Sequence, residues 1–372
     1  MSNKKTKIIY ILPMLYIGGA EKILFDVIKK IDKERFEVGL ALLKKNEIFF
    51  SGWEEELAAE NVKVENFLIQ DNLFLKIFDI PRKFISLVSY LRQEKPDIVH
   101  THLLYADIIG RFAAWLAGVK RIITTEHNQI GYGDKIKNCL TKFIDQKTFA
   151  FVAVSEEVAA YLKSERKIAE NKIIIIHNGI ETEKYVFPDR QYDKEKLVIG
   201  AMGKIARQKG FDLLIESLKM INADYECLIA GDEDLHERDL RLELEELIVR
   251  NNLADKVKFV GLQEARHFFQ GIDIFVSSSR WDGLSLVLLE AGAAGLPIVA
   301  FNVGGVGSVI HHEEDGLIVE KEDVGKMSES ITRLLVDENL RTKFGQKTAE
   351  KIRNNFDISR VVKSHEELYI SL

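Results

Sequence analysis

The sequence contains few cysteines and prolines and no long apolar run. Only Cys139 and Cys227 among 372 residues are cysteines, and they lie far apart, so they can build neither a disulfide framework nor a cysteine-rich zinc site. We therefore expect a reducing, cytoplasmic setting. The apolar run at residues 8–13 is only about one strand long, and no uncharged stretch reaches about 18 residues. We expect neither a signal peptide nor a membrane-spanning helix.

Two further absences narrow the class of ligand. The net charge is -6, and no dense basic stripe with interleaved aromatic residues is present, so we expect no nucleic acid partner. The fingerprint Gly-x-Gly-x-x-Gly is also missing, which argues against a nicotinamide dehydrogenase. The first half of the chain is more basic than the second, which leaves room for contact with an anionic membrane surface.

Short β-branched runs alternate with amphipathic segments of helix length, which is the pattern of parallel sheets joined by crossover helices. A chain of 372 residues with 46% hydrophobic composition is too long for one ordinary core, and the strand series restarts after a polar stretch at residues 181–196. We predict an α/β protein with two doubly wound parallel-sheet domains facing each other across a cleft, divided near residue 186. The predicted strands are 7–12, 38–43, 64–68, 98–101, 122–125, 149–154 and 172–176, then 197–202, 225–230, 257–260, 274–277, 297–300 and 316–319.

Ligands of open parallel sheets bind beyond the carboxyl ends of the strands, so the residues that follow each strand are the candidates. Gly18 and Gly19 follow the first strand and open a helix, where free N–H groups suit a phosphate; the alternative is a plain strand-to-helix turn. His100 and His102 end the fourth strand. They either line a cleft through hydrogen bonds or begin a metal site completed by Asp107 and His127.

The fifth strand ends at Thr-Glu-His127-Asn128, where a histidine can hydrogen-bond a sugar hydroxyl or simply satisfy a turn. In the second half, Lys204, Arg207 and Lys209 follow a strand and can neutralise a diphosphate, although a solvated basic loop is the alternative. We predict that Asp282 lies in a loop before the helix that contains Glu290. The two acids then touch different parts of one extended ligand, with Glu290 paired to ribose hydroxyls. The free N–H groups of residues 283–286 face a phosphate or a sugar hydroxyl.

In order and spacing, these segments resemble the retaining nucleotide-sugar glycosyltransferases of family 4, which have the GT-B fold of two facing Rossmann-like domains. The resemblance spans nearly the whole chain. The segments that carry it are Gly-Gly-Ala-Glu, His-Thr-His, Thr-Glu-His, Val-Ser-Glu, His-Asn-Gly-Ile, Gly-Lys-x-x-x-x-Lys-Gly, Ala-Gly-Asp, Phe-Val-Gly, Trp-Asp-Gly with Leu-Leu-Glu-Ala, Ala-Gly-Leu-Pro and the Gly-Gly pair at 304–305.

The resemblance implies a role for each matching position. Gly18 and Gly19 approach the donor diphosphate, His127 contacts the transferred sugar, and Lys204 and Lys209 bind the diphosphate, with Arg207 beside them. Glu290 holds the ribose, Asp282 contacts the donor sugar, and the backbone of Gly283, Leu284, Ser285 and Leu286 completes the donor site. We expect the catalytic residues to be His127, Lys204, Lys209 and Asp282, and we expect His100, His102 and Asn128 to contact the acceptor or to line the cleft. The implied domains are residues 1–186 with 356–372 on the acceptor side, and residues 187–355 on the donor side.

Three positions depart from the family pattern. Asp282 stands where the family usually has glutamate, Lys204 stands where it usually has arginine, and Gly307-Ser308 replaces the usual Pro-Glu. A lysine is a point charge without the fork geometry of arginine. We therefore expect the donor contacts at these three positions to differ from the family pattern.

The function that follows is transfer of a hexose-type sugar from a nucleoside diphosphate to a hydroxyl acceptor, with retained anomeric configuration and neither metal nor other cofactor. The expected acceptor is a growing cell-surface glycan or a lipid-linked saccharide. Residues 73–85 mix large apolar side chains with Lys76, Arg82 and Lys83 and either dock on the inner face of the cell membrane or form a core-facing helix. The alternatives are a GT-B nucleotide-sugar 2-epimerase and a non-catalytic sugar-nucleotide-binding partner of a transferase.

Overall fold

The structure is a computed structural model. It describes residues 4–15, 18–44, 51–69, 73–128, 135–187, 196–234, 237 and 239–371, with the backbone alone at 44, 51, 68, 69, 73–80, 104, 105 and 135–138. The chain divides into two compact units. The first comprises Met1–His177 and Ile358–Leu372, and the second comprises Asn178–Asp357.

The first unit contains a parallel sheet of seven strands with helices between them. Its elements are β1 Thr6–Leu12, α1 Gly19–Lys30, β2 Phe36–Lys44, α2 Ser51–Ala59, β3 Lys63–Ile69, α3 Leu73–Glu94, β4 Ile98–His102, α4 Leu104–Ala117, β5 Arg121–Glu126, α5 Lys135–Lys147, β6 Ala150–Ala153, α6 Glu156–Ser164 and β7 Ile173–Ile175. The strand order is β3-β2-β1-β4-β5-β6-β7. All five residues of β4 are buried, as expected for a parallel strand covered by helices on both faces.

The second unit repeats this architecture with six parallel strands. Its elements are β8 Leu197–Met202, α7 Phe211–Lys219, β9 Tyr225–Ala230, α8 Leu240–Arg250, β10 Val257–Gly261, α9 Ala265–Gly271, β11 Ile274–Ser277, α10 Leu286–Ala293, β12 Ile298–Phe301, α11 Val306–Val309, β13 Leu317–Val319, α12 Val324–Val336 and α13 Glu338–Asn355. The order is β10-β9-β8-β11-β12-β13. The last helix, α14 Ile358–Ser371, follows α13 in the chain.

Both sheets are doubly wound: successive strands are added on one side of the first strand and then on its other side. The reversal lies between β1 and β4 in one sheet and between β8 and β11 in the other. Ligands of such sheets bind outside the carboxyl ends of the strands at this point. The prediction of two doubly wound parallel sheets is confirmed, and each of the thirteen predicted strands overlaps one of β1–β13.

The units divide at 177/178 and 357/358, whereas the sequence placed the divisions after residues 186 and 355. Residues 178–186 belong to the second unit because hydrogen bonds fix them there. Asn178 Nδ2 donates to Leu284 O at 2.8 Å, and Thr182 Oγ1 donates to Asp357 Oδ2 at 2.6 Å. A polar composition does not reveal such contacts, since they depend on the fold of a segment more than 100 residues away.

Helix α14 packs on the first unit. Tyr369 on this helix shares a hydrogen bond of 2.9 Å with the hydroxyl of Tyr10 on β1, and its ring meets Phe36 on β2 edge to face. At the other end of the contact, the backbone N–H of Asp32 donates to Glu366. Among the described residues, none of the helices combines the length and the apolar character needed to cross a bilayer.

Candidate functional site

The second unit brings two candidate residues from distant loops into direct contact. Lys209 ends a short 3-10 turn after β8, and Asp282 lies in the loop after β11. Lys209 Nζ is 2.7 Å from Asp282 Oδ2, and each side chain is less than one-fifth exposed. The pair therefore lies at the carboxyl ends of the two strands beside which the sheet order reverses.

The turn that carries Lys209 is fixed against the loop after β11 by hydrogen bonds. Ser278 Oγ donates to Lys209 O at 2.9 Å, and Arg280 N donates to Gln208 O at 2.7 Å. Gly210 closes the turn with φ +61°, and a Cβ there would lie 2.1 Å from Ser278 O. Only glycine fits this close approach in a left-handed conformation. The backbone of the turn that carries Lys209 is thus fixed against the loop after β11.

The other two cations of this loop point elsewhere. Lys204 Nζ is 3.1 Å from Asp234 Oδ2, in the loop after β9. Arg207 is exposed, and its guanidinium donates to both carboxylate oxygens of Glu243 on α8. The contacts of Arg207 match the solvated alternative for this residue and give no support to its predicted donor role.

Asp282 and Glu290 lie on separate segments. Asp282 precedes α10, where its Oδ1 accepts a bond of 3.0 Å from Gly283 N, and Glu290 lies inside α10, 3% exposed. Ser285 occupies the N-cap of α10 without a side-chain cap bond. The N–H groups of the first helical turn, which begins at Leu286, are therefore the natural partners of an anion.

The loop after β12 supports the loop that holds Asp282. Gly304 has φ +51°, and a Cβ on it would lie 1.8 Å from Asp282 O. Gly305 N donates to Gly283 O. Gly307 and Ser308, which depart from the family pattern, are both within the short helix α11. The Gly304-Gly305 pair thus serves to bring two backbones together.

In the first unit, Gly18 is the N-cap of α1 and Gly19 is the first helical residue. The carboxylate of Glu21 is folded back over Gly18, since a Cβ on Gly18 would lie 2.3 Å from Glu21 Oε2. A negative charge therefore already lies beside this helix N-terminus. A diphosphate at Gly18 requires that the Glu21 carboxylate move.

His100 is turned into the core and does not line an open surface. It is fully buried, its Nδ1 lies 2.7 Å from the hydroxyl of Tyr369, and its Nε2 lies 2.8 Å from Thr125 Oγ1. Both ring nitrogens have protein partners, so neither remains for a ligand. The prediction that His100 lines a cleft does not agree with these contacts, because Tyr369 of α14 covers the His100 ring.

His102 and His127, by contrast, form a pair at the ends of β4 and β5. His102 Nδ1 lies 3.2 Å from His127 Nε2. His102 Nε2 is buried and has no hydrogen-bond partner among the described residues, and the same is true of Asn128 Oδ1. His127 and Asn128 are both partly exposed. The pair joins a candidate sugar-contacting residue to a buried one.

Burial keeps these histidines neutral. Loss of hydration lowers the pKa of His100 and of His102 well below the ordinary value, and nearby histidines lower it further. Burial lowers the pKa of His127 to about 4, and repulsion from His365 acts in the same direction. At neutral pH each ring therefore has one donor and one acceptor nitrogen. One ring of the His102–His127 pair donates the shared proton and the other accepts it.

The contacts of Asp107 bear on the metal-site alternative. Its carboxylate accepts bonds from Arg111 at 2.6 Å and from Thr124 at 2.5 Å. Arg111 also contacts Asp145, whose carboxylate binds Arg166. Asp107 is thus part of a buried ion network behind the strand end. No group of three or more His, Cys, Asp or Glu side chains in the described part of the chain is arranged to hold a metal ion.

Four contacts around the candidate residues were not predicted from the sequence. Asn178 supports the loop before α10, Asp234 pairs with Lys204, Glu21 covers Gly18, and the hydroxyl of Tyr369 hydrogen-bonds His100. An acid shortly after β9 was a visible signal for Asp234. The other contacts join residues that no local pattern connects.

Comparison with known proteins places both units among glycosyltransferases. Residues 17–184 match the family model described as Glycosyltransferase Family 4, and residues 183–351 match Glycosyl transferases group 1. The UDP-Gal:alpha-D-GlcNAc-diphosphoundecaprenol alpha-1,3-galactosyltransferase of Escherichia coli is 26% identical, over 100% of this chain and 98% of its own length. The lipopolysaccharide core biosynthesis mannosyltransferase LpsB of Rhizobium meliloti is 27% identical, over 62% of this chain and 68% of its own.

Solved structures agree on the fold. Anabaena HepE in complex with UDP has a TM-score of 0.84 at 18% identity, covering 99% of this chain and 100% of HepE. The sucrose-phosphate synthase of Thermosynechococcus elongatus has a TM-score of 0.80 at 18% identity, with 99% of each chain covered. The predicted GT-B class is confirmed.

Proposed function

Since the chain belongs to the glycosyltransferases of family 4 and group 1, whose two models together span residues 17–351, we propose that it transfers a hexose-type sugar from a nucleoside diphosphate to a hydroxyl acceptor. The contact between Lys209 and Asp282 is the observation on which the proposal rests. A cation for a diphosphate and a carboxylate for sugar hydroxyls meet where the loops after β8 and β11 come together, and the carboxylate lies shortly before the N-terminus of α10.

Each part of the donor has a partner in the second unit. Lys209 and the first N–H groups of α10 neutralise the diphosphate, Asp282 accepts hydrogen bonds from the sugar, and Glu290 accepts them from the ribose. In the free protein the Asp282 carboxylate satisfies Lys209. When the donor binds, the phosphate replaces Asp282 as the anionic partner of the ammonium group, and Asp282 turns toward the sugar. Lys204 is paired with Asp234 in the free protein, so its proposed role at the diphosphate requires that this ion pair open when the donor binds.

We propose retention by front-face displacement. The bond between the anomeric carbon and the phosphate oxygen breaks, and its electron pair stays on the nucleoside diphosphate. The acceptor oxygen bonds to the same face of the anomeric carbon, and its proton passes to the departing phosphate oxygen. Lys209 and the helix N-terminus lower the barrier because negative charge grows on the phosphate as the bond breaks. No metal or other cofactor takes part in this scheme.

The donor proposed is a uridine diphosphate sugar, and the acceptor a saccharide linked to a polyprenyl diphosphate, at the inner face of the membrane. The support is a relative that matches the whole chain and is named for UDP-galactose and a diphosphoundecaprenol acceptor. In this proposal His127 contacts the transferred sugar, and His102 holds the ring of His127.

The test begins with thermal shift in the presence of UDP, GDP and ADP, followed by transfer assays with the sugars of the nucleotide that binds. Glu290→Gln should weaken nucleotide binding and turnover, whereas exposed Glu329→Gln should change neither. NMR of the product gives its anomeric configuration, and excess chelator should leave the rate unchanged. Donor conversion without acceptor would instead indicate the epimerase. Binding without turnover across donors and acceptors would indicate the non-catalytic partner.

A further inference from the structure

The first unit exposes a cluster of aromatic and aliphatic side chains on two neighbouring helices. Trp115 on α4 meets Phe143 on α5 edge to face, with ring centroids 5.2 Å apart, and Phe112 stacks on Phe143 at 6.0 Å. Trp115 is 38% exposed and Phe143 is 40% exposed. Leu116 and Leu140 extend the cluster, and both are exposed. We call Phe112, Trp115, Leu116, Leu140 and Phe143 the α4–α5 surface.

The charges on these two helices are segregated. Asp107 is the only acidic residue in the sequence of α4, and Asp145 is the only one in the sequence of α5. Both are buried and bound to Arg111. The charged side chains that the structure describes on the outer face of α5 are Lys142 and Lys147, both exposed. Lys147 Nζ lies 5.8 Å from the Phe143 ring centroid. The acids thus face inward, and lysines accompany the exposed aromatic rings.

We propose that the α4–α5 surface docks the protein on an anionic lipid surface. Tryptophan and phenylalanine enter the region of headgroups and acyl chains, and lysine keeps its stem on apolar surface while its ammonium group reaches lipid phosphates. Exposed aromatic rings beside cations, without an exposed acid on the same helices, provide both interactions that interfacial binding requires.

Charge argues against a second copy of the chain as the occupant. In a two-fold symmetric dimer the same surface meets itself, so Lys142 and Lys147 of both copies would lie in one interface. Like charges at an interface oppose association. An anionic bilayer presents the complementary sign over the whole contact.

This surface differs from the segment at residues 73–85 that the sequence singled out. That segment opens α3, and the side chains of 73–80 lie outside the described residues. Farther along α3, Phe84 and Leu87 pack against the core under α4. Ile85 is exposed and provides a comparison variant. The use of the surface rests on the proposed lipid-linked acceptor, but lipid binding itself is measured without that acceptor.

The experiment is flotation of the full chain with vesicles of phosphatidylcholine alone or mixed equally with phosphatidylglycerol. The wild type should float only with the anionic mixture, and added salt should weaken its binding. Trp115→Ser with Phe143→Ser, and separately Lys142→Glu with Lys147→Glu, should each reduce the bound fraction at least about tenfold. Leu242→Ser with Val249→Ser removes two exposed apolar side chains from α8 as the matched control and should float like the wild type.

The proposal is overturned if the wild type does not bind anionic vesicles, or if both surface variants bind as it does. Loss on Ile85→Ser alone would assign binding to α3, and a dimer that dissociates in the Trp115 variant would assign the surface to a second copy. UDP binding by every variant verifies folding of the donor unit, and thermal unfolding verifies the first unit. Failure of sugar transfer with intact flotation would count against the proposed function and leave the lipid contact standing.

Discussion

Lys209 Nζ and Asp282 Oδ2 lie 2.7 Å apart, although the two residues are 73 positions apart in the sequence. Lys209→Ala should weaken binding of UDP by about 10- to 100-fold, because it removes a charge-assisted bond to phosphate. Isothermal titration gives the dissociation constant. Lys326, another lysine paired to an acid, is on the exposed side of α12, and Lys326→Ala should leave binding unchanged. Equal affinity of the Lys209 variant and the wild type would contradict the phosphate role.

Asp282→Asn separates the two functions assigned to this pair. The change keeps the shape but removes the charge that now satisfies Lys209, so UDP should bind as well as before or better. If Asp282 contacts the donor sugar, turnover of the UDP-sugar should fall by about tenfold or more, since a neutral amide is a weaker acceptor for hydroxyl groups. Titration with UDP and steady-state kinetics measure the two effects. A parallel loss of both would show that Asp282 acts only by positioning Lys209.

Gly304→Ala should destabilise the second unit and damage the donor site. The residue has φ +51°, and the new Cβ would lie 1.8 Å from Asp282 O. We expect a loss of about 2 kcal/mol or more in the free energy of unfolding, together with weaker UDP binding. Gly271 at the end of α9 is the matched control, because a Cβ there meets nothing within 4 Å. Chemical denaturation of both variants decides the matter, and similar stabilities would contradict the packing argument.

His102 should act as a positioning residue for His127. With the bond between His102 Nδ1 and His127 Nε2 removed, the His127 ring is free to rotate. His102→Ala should lower kcat by about five- to tenfold and leave UDP affinity nearly unchanged. Asparagine can place a polar atom near the position of Nδ1, so His102→Asn should recover part of the rate. An equal fall in nucleotide affinity would instead indicate general disruption of the unit.

The buried histidines predict acid sensitivity of the first unit. Burial lowers the pKa of His365 to about 4, so below about pH 6.5 the unfolded chain takes up a proton that the folded chain does not. The free energy of unfolding therefore falls as the pH drops from about 7 toward 4. At pH 5 His365 alone accounts for about 2 kcal/mol.

Unfolding curves at pH 8 and pH 5 measure this dependence. His365→Gln should reduce the difference between the two pH values, even if it lowers stability at both. His267→Gln alters an exposed histidine on α9 and serves as the control, with no change in the difference expected. A His365 variant with the full wild-type pH dependence would contradict the assignment.

The amino-acid sequence determined the elements and the list of candidates, because both depend on local patterns. Buried β-branched runs and amphipathic segments specify strands and crossover helices. Strand-end motifs identify Lys209, Asp282 and His102 as candidates, and the position of an acid within an apolar helix identifies Glu290. The restart of the strand series also gave two doubly wound sheets. The nine-residue displacement of the boundary arose because Asn178 and Thr182 bond to residues far along the chain.

Only the tertiary structure decided which candidates meet and which face away. Lys209 meets Asp282, whereas Arg207, two residues earlier, turns outward to Glu243. His100 is covered by Tyr369, whereas His102, two residues later, pairs with His127. A side chain's partner depends on strand order and on the path of distant loops, and neither is encoded within one motif. The same reason explains why the inward acids Asp107 and Asp145, and hence the lysine-rich aromatic surface outside them, emerge only from the folded chain.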